Sequence, residues 1–324
     1  MTRLIFWRLV QLPILLLVIY TLTFLLTWVA PGNPLTLQDS RRPPKEIEEM
    51  MKKQYNLDNP WVFYWEYLGD AVGLDYLDKR SRGELEPNQE VFNLGSSLKY
   101  KDQRVSGIIA DALPVSVQLG GVSIVLALIL GVGAGVMGAV RRGGFADVAS
   151  LTVVLIGISL PTFVTGAALM TVFCIWLQWF PMGWGSPKQI LLPALTLSLP
   201  FAAYIARLTR LGMIEVMNSD FVRTARAKGV APRSVIFKHA LKVAFLPVLS
   251  FLGPATAAAM TGSFVVEQVF NIPGMGQHFV SAVINKDIFL IMGVVLVYST
   301  LLILFNLAVD VAYSFVDPRI ELES

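Results

Sequence analysis

Few residues in this chain are of a type and spacing that could do bond-making chemistry. There are two histidines, His239 and His278. The first lies in a basic stretch and the second beyond a long apolar run, so they fall on opposite sides of any membrane that the run crosses. They cannot share one metal or catalytic site, and Ser159 is within reach of neither. Met170, Met182, Met213, Met260 and Met292 lack the paired spacing that soft-metal ligation needs and read as packing. The single cysteine, Cys174, excludes a disulfide within the chain. No G-x-x-x-x-G-K-[ST] string is present, so no phosphate-cradling loop of that kind is expected and nucleotide chemistry would have to come from elsewhere. The acids that remain, Glu267, Asp310 and Asp147, sit in or beside apolar runs. Intramembrane acids are functional candidates by default. These three lie near the ends of their runs, which favours interfacial structural roles for Glu267 and Asp310 and plain solvation for Asp147.

The elements that must position these residues are membrane spans. Of 324 residues, 55% are apolar and 15% charged, against about 25% charged in an ordinary soluble domain. Mean hydropathy is +0.62. A net charge of +3 is too small to suggest a nucleic-acid partner. A helix crossing about 30 Å of hydrocarbon needs about 20 apolar residues. Five stretches meet this: Leu9–Ala30, Val115–Val140, Val148–Phe180, Ile190–Met213 and Val243–Phe270. A sixth runs over Ile288–Phe315. The first apolar run is too long for a signal-peptide core and no small-x-small cleavage site follows, so it reads as a retained span. Prolines inside the runs (Pro13, Pro161, Pro200, Pro254) imply kinks, which suit a pathway more than an anchor. The third run is long, so it must tilt, bend at Pro161 or extend past the bilayer. Gly131, Gly133, Gly135 and Gly138 line the second span, either for close helix packing beside a pathway or as part of the glycine enrichment general to membrane helices.

Lysine and arginine in short loops set orientation. Arg3 and Arg8, then Arg141 and Arg142, then Arg207, Arg210, Arg223, Arg226, Lys228, Arg233, Lys238 and Lys242 all fall on one side of a six-span arrangement. The short loops on the other side hold only Lys188 and Lys286. The fold class expected is therefore all-α: a polytopic membrane protein with about six transmembrane helices, both termini cytoplasmic and a long first outer loop. Its segments are a first span over 1–30, an outer cap over 31–113, a five-span core over 114–315 with a cytoplasmic segment at 214–242, and a tail over 316–324. The outer loop has 11 basic and 14 acidic residues, with amphipathic helical patterns at Pro44–Tyr55 and Pro60–Val72 separated by a turn at Asp58-Asn59-Pro60.

The cytoplasmic segment carries the most specific local pattern. Asn218 or Ser219 can cap a helix whose first turn holds Asp220 and whose last turn holds Arg226 and Lys228. Gly229 stands where a left-handed residue ends a helix, and Pro232 opens the next one. Ala225 and Ala227 keep the short helix slim, while Phe221 supplies one large apolar knob. Such a helix suits docking into a groove on a cytoplasmic partner.

The string Arg223-Thr224-Ala225-Arg226-Ala227-Lys228-Gly229, with Leu246-Pro247 further on, resembles the coupling motif of ABC importer permeases of the peptide-transport branch. Ala30-Pro31-Gly32-Asn33-Pro34, Ser97–Asp102, Leu113-Pro114-Val115-Ser116, His239–Lys242, Thr261-Gly262-Ser263, Glu267 through Pro273-Gly274-Met275-Gly276-Gln277 and Asp317-Pro318-Arg319 look like the same branch, most of all the B-type permease of oligopeptide importers. Asp75–Asn93 departs from it as an insertion. The resemblance implies a bacterial inner-membrane subunit that pairs with a homologous second permease and two ATPases, and receives oligopeptide from an external binding protein. It implies no cofactor in this chain, with ATP and magnesium used by the partners, and coupling through Phe221 and Arg223–Gly229. Gly131, Gly135, Pro161 and Glu267 become pathway or packing candidates. Dipeptides or nickel chelates are alternative cargoes within the family. A self-contained secondary transporter would favour mid-bilayer acids or internal repeats, and a membrane enzyme would need clustered catalytic groups; neither pattern is evident.

Overall fold

The computed structural model describes residues 2–35, 44–84, 89–100, 102–260 and 264–316. Thr261-Gly262-Ser263, Lys101, part of the 75–93 insertion and the Asp317-Pro318-Arg319 ending lie outside them. Fourteen helices are described in chain order: α1 Thr2–Val29, α2 Lys45–Gln54, α3 Pro60–Ala71, α4 Leu74–Arg82, α5 Val105–Val140, α6 Phe145–Ser159, α7 Thr162–Trp176, α8 Pro187–Met217, α9 Asp220–Ala227, α10 Pro232–Ala244, α11 Leu246–Met260, α12 Phe264–Phe270, α13 Met275–Asn285 and α14 Ile288–Val316. The final turn of α7 (Thr171–Trp176) and the middle of α10 (Val235–Ala240) are wound as π-helix.

Four helical stretches are apolar and long enough to cross a bilayer: Val10–Val29, Val105–Val140, Pro187–Met217 and Ile288–Val311. The pair α10 and α11, bent by 56° at Phe245, makes a fifth. Two expected spans differ from their sequence outlines. Val148–Phe180 is not one helix. Pro161 lacks the N–H that would continue the ladder and drives Leu160 into extended geometry (φ −81°, ψ 128°), so α6 stops and α7 restarts at Thr162. Of the three ways to accommodate that long run, the chain takes the bend, sharpened to a break. Val243–Phe270 is likewise divided, because the bend at Phe245 falls just ahead of Leu246-Pro247.

The chain divides into two compact units. One comprises 1–9, 115–274 and 301–324, the other 10–114 and 275–300. In the larger unit α8 is the central post, packed by α6, α7, α10, α11 and α12. Its buried side is rich in small residues, among them Ala194, Ala202, Ala203 and Ala206, interspersed with Leu192, Leu197, Ile205 and Met213. Small side chains let helices approach closely where lipid offers no hydrophobic drive. Gly131 and Gly135 of α5 use this: a Cβ on Gly131 would stand 2.7 Å from the Ala202 carbonyl oxygen, and one on Gly135 2.6 Å from the Thr209 Cβ. A Cβ on Gly133 would meet nothing within 4 Å. The glycine row thus has one packing face, set by the four-residue spacing of Gly131 and Gly135.

The second unit is an aromatic cluster. Tyr20 and Phe24 of α1, Phe63, Tyr64 and Tyr67 of α3, and Phe289 of α14 interlock with Val105, Ile108 and Ile109 at the start of α5. Asn59 starts α3 by accepting N–H bonds from Trp61 and Val62 at 3.1 and 3.3 Å. Lys286 closes α1, donating to the carbonyls of Ala30 at 2.5 Å and Gly32 at 2.9 Å.

Candidate functional site

The segment between α8 and α11 folds as helix, turn, helix. Asp220 lies in the first turn of α9, where its carboxylate faces the positive end of the helix dipole. Ser219 has the extended backbone of a cap (φ −73°, ψ 158°), but its hydroxyl turns back and donates to the Val216 carbonyl at 2.6 Å. Asn218 similarly donates to Ile214 at 2.9 Å. The expected side-chain cap is therefore not formed, because both groups complete the end of α8 instead.

The end of α9 follows its sequence closely. Gly229 has φ +75°. Its N–H bonds to the Arg226 carbonyl at 3.0 Å, and the Val230 N–H to the Ala225 carbonyl at 3.2 Å. These two bonds form a Schellman closure, and Ala225 and Val230 both pack on the same buried cluster. Pro232 then takes the first position of α10, where its missing N–H is not needed.

Val222 fixes α9 to the rest of the unit. It is fully buried among Met213, Val235, Ala240, Ala244 and Val136. Phe221, the apolar knob expected to face a partner, is 47% exposed and lies outside this cluster. The signal for Val222 was available in its three-residue spacing from Ala225. Asp220, Phe221, Arg223, Thr224, Arg226, Ala227, Lys228 and Gly229 form an exposed face, continued on α10 by Arg233, Phe237 and Lys238. Arg223 makes only a surface pair with Asp220 at 3.3 Å, and the Thr224 hydroxyl folds onto the Asp220 carbonyl at 2.9 Å. The face is basic, carries two exposed phenylalanines, and rests on a buried valine.

At the start of α6, Asp147 is not simply solvated. It is buried in the first turn of α6 and accepts from Arg210 Nε at 2.7 Å, Arg210 Nη2 at 3.0 Å and the Gly143 N–H at 2.9 Å. The Arg210 guanidinium and then the Gly143 N–H hold its carboxyl down at about 2. Its partner is 63 residues away in sequence, which is why local reading missed it.

The other candidates are dispersed. Pro161 is exposed at the break before α7. Glu267 is fully buried in α12, where the Ser116 hydroxyl donates to it at 2.9 Å. Gly274 lies against that carboxylate so closely that a Cβ there would stand 2.6 Å from its oxygens. Asp310 is half-buried in α14. None of these adjoins the α9 face.

Several apolar spans, with a basic, exposed helix–turn–helix between two of them, define a polytopic α-helical membrane protein. Two family models cover nearly all of it. Residues 127–322 match the binding-protein-dependent transport system inner membrane component. Residues 1–120 match the N-terminal membrane component of the same systems. The chain belongs to this family and is a multi-pass inner-membrane protein. Among its relatives, the oligopeptide transport system permease protein OppB of Haemophilus influenzae is 39% identical over 99% of both chains. The dipeptide transport system permease protein DppB of Bacillus subtilis is 39% identical over 95% of this chain and 94% of its own. The fold also matches a solved inward-facing MetNI methionine ABC transporter, with a TM-score of 0.51 and 19% identity over 65% of this chain and 96% of that one. The resemblance drawn from the Arg223–Gly229 string and its companions is thus borne out at the level of family and branch.

Proposed function

We propose that the chain is the permease subunit of an ATP-binding-cassette importer that forms half of the translocation pathway for oligopeptides, and that α9 with its Gly229 turn receives a partner ATPase. The observation that carries this is the exposed basic face of α9, seated on Val222 and closed at a left-handed glycine. Force applied to such a helix passes through Val222 into Met213 of α8 and Ala240 and Ala244 of α10, so movement of a docked partner is delivered to two long elements at once.

On this reading six spans place both termini in the cytoplasm, 31–113 lies outside and 316–324 forms a short inner tail. A homologous permease completes the pathway, two ATPases use ATP and magnesium, and an extracytoplasmic binding protein delivers the peptide. The chain itself carries no catalytic group. The equal identity to a dipeptide permease supports a second cargo reading, a dipeptide in place of a longer peptide.

The deciding experiment is recovery of the tagged full chain in mild detergent from its host, followed by uptake of di-, tri- and pentapeptides in cells lacking it. Co-recovery of two ATPases and a second permease, with restored uptake of the longer peptides, is the expected result. Recovery of the chain alone would sink the importer reading, and restored uptake of dipeptides only would change the cargo.

A further inference from the structure

The α3 helix is bound to the first span at a depth that an aqueous cap would not have. The Tyr20 hydroxyl donates to the Tyr64 carbonyl at 2.6 Å, and Thr21 Oγ1 and Tyr64 Oη lie 2.8 Å apart. The Phe63 ring faces those of Phe24 and Trp28, with centroids 6.2 and 5.8 Å away, and Tyr67 stacks on Tyr20 at 6.2 Å. The α3 helix therefore runs down along α1 from Trp28 towards Tyr20. Val10–Val29 is a 20-residue apolar stretch that completes the 28-residue α1 and is long enough to fill the hydrocarbon layer. At 1.5 Å per residue, Tyr20 is about 14 Å inside its Val29 end. A second anchor bounds it from the other side: Tyr67 Oη donates to the carbonyl of Phe289, the second residue of α14 and the outer edge of that span, at 3.3 Å. A helix held by both groups lies between the span boundary and the depth of Tyr20.

The remaining edges of α3 are chemically divided. Glu66 and Asp70 line a cavity of about 460 Å³ together with Asn56, Lys79 and Arg104, and Asn56 donates to Glu66 at 2.5 Å. On the opposite edge Trp61 and Trp65, one turn apart, are 67% and 64% exposed, and Val62 beside them is 38% exposed. Over the same depth α1 presents its own free apolar face, with Leu22, Leu26 and Val29 exposed. Tryptophan is the side chain favoured where acyl chains meet headgroups, because it has an apolar body and one N–H to satisfy.

We propose that α3 is a membrane-interface helix whose Trp61–Trp65 edge is embedded in lipid of the leaflet at the Val29 end of α1, while its Glu66–Asp70 edge faces water. This takes α3 out of the aqueous outer cap that the sequence suggested and makes lipid the partner of its free aromatic face.

The test places a nitroxide at 61, 65 or 66 through W61C, W65C or E66C. Each is made in a full chain carrying C174A, assembled with the subunits that copurify with it in phosphatidylethanolamine–phosphatidylglycerol vesicles. At 61 and 65, relaxation by oxygen should exceed relaxation by a water-soluble nickel chelate several-fold, and the ratio should invert at 66. Chelate access at 61 and 65 equal to that at 66 would return α3 to water. Exclusion of both reagents at 61 and 65 would show a protein partner there. Both results overturn the proposal. A label-free check covers misfolding of the cysteine variants. Brominated lipid should quench the fluorescence of the unaltered chain more than that of W61F/W65F, and equal fractional quenching would also overturn it.

Discussion

Arg210 grips Asp147 with two nearly parallel hydrogen bonds, of 2.7 and 3.0 Å, tying the first turn of α6 to α8. Such a fork is worth more than a point contact because its geometry is fixed by two planar groups. Removing one partner leaves the other without compensation at a crowded helix junction. Asp147→Asn should lower the melting temperature of the purified chain more than Asp147→Asn combined with Arg210→Gln, as read by differential scanning fluorimetry in detergent. An equal loss in both would show that the two groups act independently.

The same pair makes a pH prediction. The folded-state pKa of Asp147 is depressed to about 2, below the ordinary carboxylate value of about 3.9. Its contribution is complete above the ordinary value and disappears as pH falls through the folded one. Between pH 7 and pH 5 the stability difference between the unaltered chain and Asp147→Asn should stay constant, and it should shrink only below about pH 4. Melting curves of both proteins across that range check it.

Gly229 has φ +75° with open space around its missing side chain. Substitution there costs backbone strain alone, about 1–2 kcal/mol for a β-branched residue. Gly229→Val should leave the membrane-inserted chain present at normal abundance while peptide uptake falls or ATPase recovery drops. Normal uptake and normal recovery would count against the docking assignment.

Phe221 and Val222 are neighbours with opposite duties. Val222→Ala empties part of a buried cluster and should cost about 1–3 kcal/mol of stability. Phe221→Ala removes an exposed ring and should leave the melting temperature unchanged, while weakening ATPase retention by about 1–2 kcal/mol if the ring is a central contact. Thermal melting and quantitative pull-down separate the two effects.

The glycines of α5 allow an internal control. Gly131→Leu must push α5 away from α8 and should cost about 1–3 kcal/mol through overpacking. Gly133→Leu, which meets open space, should cost little. Expression level and melting temperature of the two variants should therefore diverge.

Much of this architecture was readable before any coordinates, because the information was local. Apolar run length located the spans, and a glycine followed by proline placed the turn after α9. What stayed hidden depended on partners distant in sequence. Asp147 read as solvated until Arg210 was folded against it. Pro161 allowed a bend, a tilt or an overrun, and only the packing around α7 and α8 selects the break. Gly131 and Gly133 are alike in sequence and differ only in which one α8 approaches. The α3 helix showed its amphipathic pattern plainly, but its depth follows from Tyr20 and Phe24, about 40 residues earlier. For α9 the exposed surface was legible, while the anchor Val222 is defined by Met213, Val235, Ala240 and Ala244, which come from other helices.

The break at Pro161 bears on how the chain is made. At 1.5 Å per residue, α6 and α7, with 15 residues apiece, are each about 22 Å long, short of the hydrocarbon thickness. As each emerges from the ribosome it is a weak substrate for lateral release into lipid. The buried Gly166 of α7 is set against Thr196 of α8, with 3.2 Å between that side chain and the place of its missing Cβ. Stable lodging of the half-helices thus waits for α8 to be synthesised, and this stretch enters the bilayer as a group of three in place of one helix at a time.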